Sequence, residues 1–547
     1  MASVISIEYF RAKKSALEGD AEAQDTLGAM YMRGEGVERN QEEAIKWFTK
    51  AAEQGDIHAK ISLGYAYVDR KGVETNIEKG LALLLEGAEH GDWFAQLIAG
   101  SIYLGMYGGE ADYKEALKWL TKSAEQGNVT AQFFVGKMHF RGDGTEKNYT
   151  EAAKWLKKAV AQGNIEARTY LAGLYLEGKG VSRDSGEALR LFKKSALQDD
   201  KYAQYGLALL YYEGIEAEKD LKKAAYWFRK SAEKSFVYAE YNLGLVYFHG
   251  DGAEKDYDEA LKWLRKAADK NYDRAEHQLG IMYHKGIGVE KDYSEAIRWF
   301  KKAAEKGYHK AQYCLGRMYC KGEGTNPDYQ EAMQWLKKSA AQGDTNAQTE
   351  IGLMYLDGEG VDKNPVEAIK WFRKAAEQGN DAAQFLLGSV YFFGDGIEED
   401  YDKAMHWFRK AAAQGNIAAQ YNIGVMYFNG LGVDKSYHEA MKWYKKAAEN
   451  GHKSAQYNLG LMYFYGRGID NDDNEAAKWI KKSAQQGDDK AQYFLGLMYC
   501  DGRGVERNRN EGMKCFEKSA AQGNKKAQET IEHFQNIKQE ILEKQKA

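Results

Sequence analysis

The chain repeats itself every 36 residues, fourteen times over, without an insertion or deletion. An A-Q-x-x-L-G string, in stronger or weaker form, begins at Ala23 and returns at Ala59, Ala95, Ala131, Ala167, Ala203, Ala239, Ala275, Ala311, Ala347, Ala383, Ala419, Ala455 and Ala491. A fixed period of this length marks a stacked array, in which each unit buries its apolar face only against its neighbours. That excludes the series of independent globular domains that a length of 547 residues would otherwise suggest. The repeats fill residues 23–526, with 1–22 and 527–547 left as end pieces. With only Pro327 and Pro365 in the whole chain, almost nothing reads as a linker.

Each unit reads A-Q-x-x-L-G-x-M-Y-x-x-G-x-G-V, then E-A-x-K-W-F-x-K-A-A-x-Q-G, and both halves have helical period. In the seventh unit, Ala239, Leu243 and Val246 form one stripe of the first helix, and Glu240, Gly244 and Tyr247 the next. Gly244 costs about 1 kcal/mol against Ala in mid-helix, a cost offset if another helix approaches there. The second helix gathers Ala260, Trp263, Leu264 and Ala267 on one face and turns Lys262 and Lys266 outward. Asp256 with Glu259 predicts a capping box, repeated at Asn40/Glu43, Asp292/Glu295, Asp328/Glu331 and Asp472/Glu475. Gly55, Gly307 and Gly379 are placed to end second helices in a left-handed residue, Asp56 and Asn380 to cap the next first helix, and Pro365 to stand at N1.

This pattern resembles the SEL-one-like repeat, a relative of the tetratricopeptide repeat, over essentially the whole array. The resemblance implies an all-α, right-handed α-solenoid of fourteen helix-turn-helix repeats with a capping helix at each end. First helices would line its concave side. It also implies adaptor and scaffold roles. Other readings drawn from relatives are an adaptor for polysaccharide export or an envelope complex, and a β-lactamase-like hydrolase.

Departures from the pattern mark expected soft joints. Leu83, Leu191 and Cys515 replace the tryptophan, and Arg70 replaces a loop glycine. Asp199 and Ser235 stand for helix-ending glycines, and Glu216 for the second loop glycine. Residues from about Ile5 to Leu17 imitate a second helix, and Ala527 to about Glu543 a first helix that turns polar through Lys538, Glu540 and Lys544.

Composition narrows function. Lys and Arg number 77 against 81 Asp and Glu, for a net charge of -4, which excludes the broad basic surface of a non-specific nucleic-acid binder. No run of about 18 apolar residues is present, and no basic segment precedes the apolar start that Glu8 interrupts, so a cytoplasmic protein is expected. The four cysteines are too few for a disulfide framework and read as thiols. Gly173 to Gly180 imitates a phosphate loop but has Gly180 where Ser or Thr is required, and Ser231-Ala-Glu-Lys234 has S-x-x-K spacing without its partner motifs. His249, His277, His284 and Cys320 are the one group with metal-ligand chemistry, and they read as ordinary face residues. Neither a metal nor a cofactor is expected, and no catalytic residue is assigned.

The binding surface is read from the third, seventh and tenth slots of the first helix, which share a face. Aromatic residues recur there, and aromatics give large contact area at small entropy cost. The longest apolar stripe lies in units eleven to thirteen, with Phe385, Phe392, Phe393, Tyr421, Phe428, Tyr457, Phe464 and Tyr465. Lys285, Arg317 and Lys321 add a basic patch, while Glu177, Glu213, Asp357 and Asp501 speak against a nucleic-acid groove. The expectation is a monomeric, non-catalytic scaffold that takes a peptide, helix or protein domain on this face.

Overall fold

The computed structural model describes residues 7–69, 76–216 and 218–546. Ile5 and Arg70 lie outside the described residues. Among the described residues there are thirty α-helices and no strand. Ile7–Leu17 comes first, Lys525–Lys546 last, and fourteen helix pairs stand between them in an all-α solenoid. The array divides into two compact units, Met1–Lys270 and Asn271–Ala547. Within each, a first helix packs on the second helix of its own repeat and that second helix on the next first helix.

Repeat 7, with helices Val237–His249 and Tyr257–Asp269, shows how the sequence enforces this packing. A Cβ placed on Gly244 would stand 2.7 Å from Leu264 Cγ, so the missing side chain is what admits the second helix. Trp263 is buried, and Lys266 Nζ covers its ring at 4.2 Å from the centroid. Asp256 caps the second helix by accepting from Asp258 N and Glu259 N, both at 3.0 Å.

The reciprocal half of the capping box does not form. Asp256 N already donates to Tyr247 O at 3.0 Å, so Glu259 has no cap amide to satisfy. Its Oε2 instead accepts from Trp263 Nε1 at 3.0 Å. The same glutamate-to-tryptophan bond recurs at Glu115/Trp119 and Glu331/Trp335, 3.1 and 3.0 Å. In these three repeats the glutamate of the motif fastens the core tryptophan rather than the helix start, whereas Trp299 Nε1 in repeat 8 is buried without a hydrogen-bond partner among the described residues.

A second ladder runs through the stack. The buried glutamine of a first helix donates to an alanine carbonyl of the preceding helix, as Gln312 Nε2 does to Ala304 O at 3.0 Å. Its own carbonyl accepts from the glutamine that ends the next second helix, Gln342 Nε2 at 2.9 Å. In two repeats both members change together: Glu240 takes Lys270 and Glu276 takes Lys306, each at 2.6 Å. A hydrogen bond of neutral amides is there exchanged for a buried ion pair.

At the positions where glycine is replaced, the backbone keeps the left-handed conformation that glycine has in the other repeats. Asp199, Glu216, Ser235 and Asn271 all have positive φ, 71°, 56°, 60° and 63°, conformations that cost an L-residue roughly 1–2 kcal/mol. Asn271 belongs with the three residues foreseen from the sequence. Glu216 fits because Ser185 and Gly186, both small, line the space beside it, where the regular repeats set a tyrosine against the second loop glycine. At the far end, the last helix turns polar only in part: Phe534, Ile537 and Ile541 are exposed.

Candidate functional site

The structure gathers the predicted basic residues into one cavity of about 240 Å³ in repeats 8 and 9. Lys285 ends the helix Asp273–Lys285, and Arg317 and Lys321 stand one turn apart on His309–Lys321. Ile281, Phe300 and Met318 supply an apolar lining. His284 Nε2 lies 2.7 Å from Glu323 Oε2 at the margin. Arg317 Nη1 donates a long bond, 3.4 Å, to Tyr313 OH. Behind it, burial pushes the Glu350 carboxyl above its ordinary range, against the pull of Arg317 and Lys321.

The residues with metal-ligand chemistry do not converge there. Cys320 points into the core, its Sγ 3.9 Å from Met354 Sδ, and burial pushes its thiol up to about 12. Its place on the open face, expected from helical spacing, is therefore corrected. His277 Nε2 lies 3.7 Å from Cys314 Sγ, but burial drives the two apart in protonation. The imidazole falls to about 4 and the thiol rises to about 11. Both are neutral at pH 7, the opposite of a thiolate–imidazolium nucleophile. Among the described residues no three His, Cys, Asp or Glu side chains are grouped to hold a metal ion.

The motifs that imitate catalytic signatures have structural partners. Ser231 Oγ donates to Lys201 O at 2.8 Å, and Lys234 pairs with Asp199. Gly173 lies inside the helix Ile165–Glu177.

In repeats 11 to 13 the aromatic stripe is built differently from the expectation. Phe385 and Phe392 lean on Phe408 at centroid distances of 5.9 and 6.0 Å. Tyr421 stacks on His452 at 4.5 Å, and Phe428 leans on Tyr437 at 5.1 Å. Phe464 meets Phe494 edge-on at 4.9 Å, with Tyr457 against the same ring at 6.4 Å. Burial pushes the Tyr457 hydroxyl up to about 12. These six are half-buried walls, while Phe393 and Tyr465, 66% and 55% exposed, are the rings offered to solvent.

Between repeats 12 and 13 lies a second cavity of about 370 Å³, lined by Tyr421, Phe428, Asn429, Leu461 and Arg467 among others. Arg467 and Arg503, absent from the sequence-derived site, sit in the middle of G-x-G loops and reach back over the face. The Arg467 guanidinium lies 5.7 Å from the Phe428 ring and 5.3 Å from Tyr465. Arg503 covers Phe464 at 3.7 Å while held by a forked pair of bonds to Asp473, 2.9 and 2.8 Å. Cation–π contacts of this kind contribute about 0.5–2 kcal/mol.

A helix-pair solenoid whose open features are clefts between successive first helices is, as a class, a repeat protein of the tetratricopeptide-like type. The Sel1 repeat model matches fourteen consecutive segments, from residues 21–56 to 489–524, and the chain belongs to the Sel1 repeat family. Among solved structures it is similar to a protective antigen of uropathogenic Escherichia coli with an SLR fold. That match has 35% identity over 77% of this chain and 90% of the other, with a TM-score of 0.59. A Sel1 repeat protein from Oxalobacter formigenes is 32% identical over 56% of this chain and 90% of its own, with a TM-score of 0.48. No curated protein matches the chain. Sel1-repeat proteins typically mediate protein–protein interactions and are generally non-catalytic. Among the described residues no helix is long and apolar enough to cross a membrane.

Proposed function

We propose that the protein is a non-catalytic scaffold that holds a protein partner on the first-helix face of residues 271–547. The observation that carries this reading is the exposure of aromatic rings on a face that also holds a cleft: Phe393 and Tyr465 stand in solvent, and Arg467, which lines the cavity walled by Tyr421 and Phe428, lies 5.3 Å from the Tyr465 ring. Exposed aromatic anchors next to preformed apolar pockets are what concentrated binding energy requires. Phe385 and Phe392, fixed on Phe408, and Tyr457 and Phe464, fixed on Phe494, add half-buried aromatic area to the face, and the Lys285, Arg317 and Lys321 cavity adds positive charge. A peptide or amphipathic helix laid across the first helices matches it.

A photo-crosslinking amino acid placed at Phe393, at Tyr465, and at exposed Lys442 on a second helix tests the reading in cells that express the protein. The same partner should be captured from Phe393 and Tyr465 and not from Lys442. Capture from Lys442 alone would move the binding face to the second helices.

A further inference from the structure

The cavity of repeats 8 and 9 combines two features that a general contact surface does not need. Its walls are apolar, with Phe300 and Met318 each only 2% exposed. Around them stand three cations, and among the described residues none of Lys285, Arg317 or Lys321 has a carboxylate within ion-pair distance. On the second helices the lysine that follows the motif glutamate pairs with it one turn along, as Lys262 with Glu259 at 2.5 Å and Lys478 with Glu475 at 2.8 Å, and others such as Lys266 and Lys302 cover a tryptophan ring. Cations left without such partners beside an apolar wall form a site for an anion that brings its own apolar group. The Arg317 fork suits a carboxylate, and Lys285 and Lys321 add point charge at the ends of the first helices of two successive repeats.

Size and charge restrict the ligand further. A volume of about 240 Å³ is below that of a pocket for a drug-sized molecule, about 300 Å³ or more, and suits one compact group. Glu323 at the margin and Glu350 behind Arg317 offset part of the positive charge. The remainder matches a monoanion better than a phosphate dianion.

We propose that this cavity is a binding site for a carboxylate joined to one compact apolar group such as a phenyl ring, the carboxylate held by Lys285, Arg317 and Lys321 and the apolar group resting on Ile281, Phe300 and Met318. The proposal deepens the reading of the first-helix face as the binding surface, because it gives the chemistry by which one cleft of that surface selects its occupant. A free aromatic acid and the carboxyl-terminal residue of a peptide share this chemistry.

The test uses the full chain carrying methyl-labelled methionine, with the Met318 signal assigned through Met318→Leu. N-acetyl-L-phenylalanine should shift the Met318 methyl resonance saturably. N-acetyl-L-phenylalaninamide, which lacks the charge, should bind at least about tenfold more weakly, as should acetate, which lacks the ring. Arg317→Gln with Lys321→Gln should weaken the acid by a similar factor while the Met462 signal, in the other cavity, stays in place and reports intact folding. A pentapeptide ending in phenylalanine distinguishes the sources: binding tighter than the free acid assigns a peptide terminus, and weaker binding assigns a small acid. Equal affinity for acid and amide, no Met318 shift at millimolar acid, or tighter binding of phenyl phosphate would each overturn the proposal. The partner crosslinks at Phe393 and Tyr465 are scored separately, so failure of the cleft chemistry is distinguishable from failure of the scaffold reading.

Discussion

At the scale of single residues, the irregular repeats are instructive because they substitute one kind of interaction for another. The Glu240 carboxylate is 2% exposed and its Lys270 partner 36% exposed. Lys270→Met would leave a buried charge alone and should cost roughly 2–3 kcal/mol, below the usual loss for a broken buried pair because the lysine is partly solvated. The double change Lys270→Gln with Glu240→Gln rebuilds the amide ladder and should recover most of that loss in urea titrations. If the single and double variants unfold alike, the ion pair is not what holds this joint. His277 gives a pH dependence with a definite sign. Its folded-state pKa of about 4 lies below the ordinary 6.5 because the ring is buried. Between those values the unfolded chain binds a proton that the folded chain refuses. Stability is therefore full near neutrality, falls as pH drops through 6.5, and by pH 4 has lost about 3 kcal/mol on this account. Denaturation of the wild type and His277→Leu at pH 7.5 and 4.5 checks this. The variant should lose less stability on acidification, and a parallel loss in both chains would assign the effect elsewhere.

At the scale of the element, helix starts show what the sequence revealed and what it concealed. Asp56, Asn380 and Pro365 stand as cap and N1 residues, where their chemistry placed them. Both Asn128 and Asn148, which open N-x-T sequons, are N-caps that accept from Ala131 N and Glu151 N. Three first helices lack the device: Phe236, Tyr272 and Tyr308 stand at the N-cap and make no side-chain cap bond. Two of these rings turn inward instead. Phe236 packs on Tyr202 and Tyr205 at 5.1 and 5.2 Å, and Tyr308 on His277 at 5.2 Å. A motif read unit by unit cannot show this trade, since the compensating contact lies on a helix of the preceding repeat. Phe236→Asp should restore a cap worth about 1 kcal/mol and remove an aromatic whose loss costs about 3–5 kcal/mol when fully buried. Because Phe236 is only half-buried, the net expectation is a loss of about 1–2 kcal/mol in urea denaturation. A stabilised variant would show that the cap outweighs the ring.

At the scale of the whole molecule, the period made the fold legible, since one unit repeated fourteen times fixes helix pairs, their loops and their stacking order together. The candidate site was legible only in part. Helical slots place Phe428 or Phe464 on a face, yet whether a ring is a wall or an anchor depends on Tyr437 and Phe494, contributed by other helices. Arg467 and Arg503 escaped because they lie in loops, where helical periodicity assigns no face, although both stand between the two glycines of G-x-G. The same architecture governs how damage spreads. Each repeat contacts its neighbours and little else, so stability is a sum of unit and interface terms. Trp119, 3% exposed, packs in the cluster that holds Ile98 and Ile102 of its own repeat and Ile61 and Leu84 of the repeat before. Trp119→Ala should remove about 3–5 kcal/mol, concentrated on the interfaces it touches. Hydrogen exchange in native buffer should then show faster amide exchange in residues 57–128, a smaller effect in 129–164, and none by residues 201–236. Uniform acceleration across all of these segments would mean that they open as one cooperative block, and the nearest-neighbour account of this array would have to be abandoned.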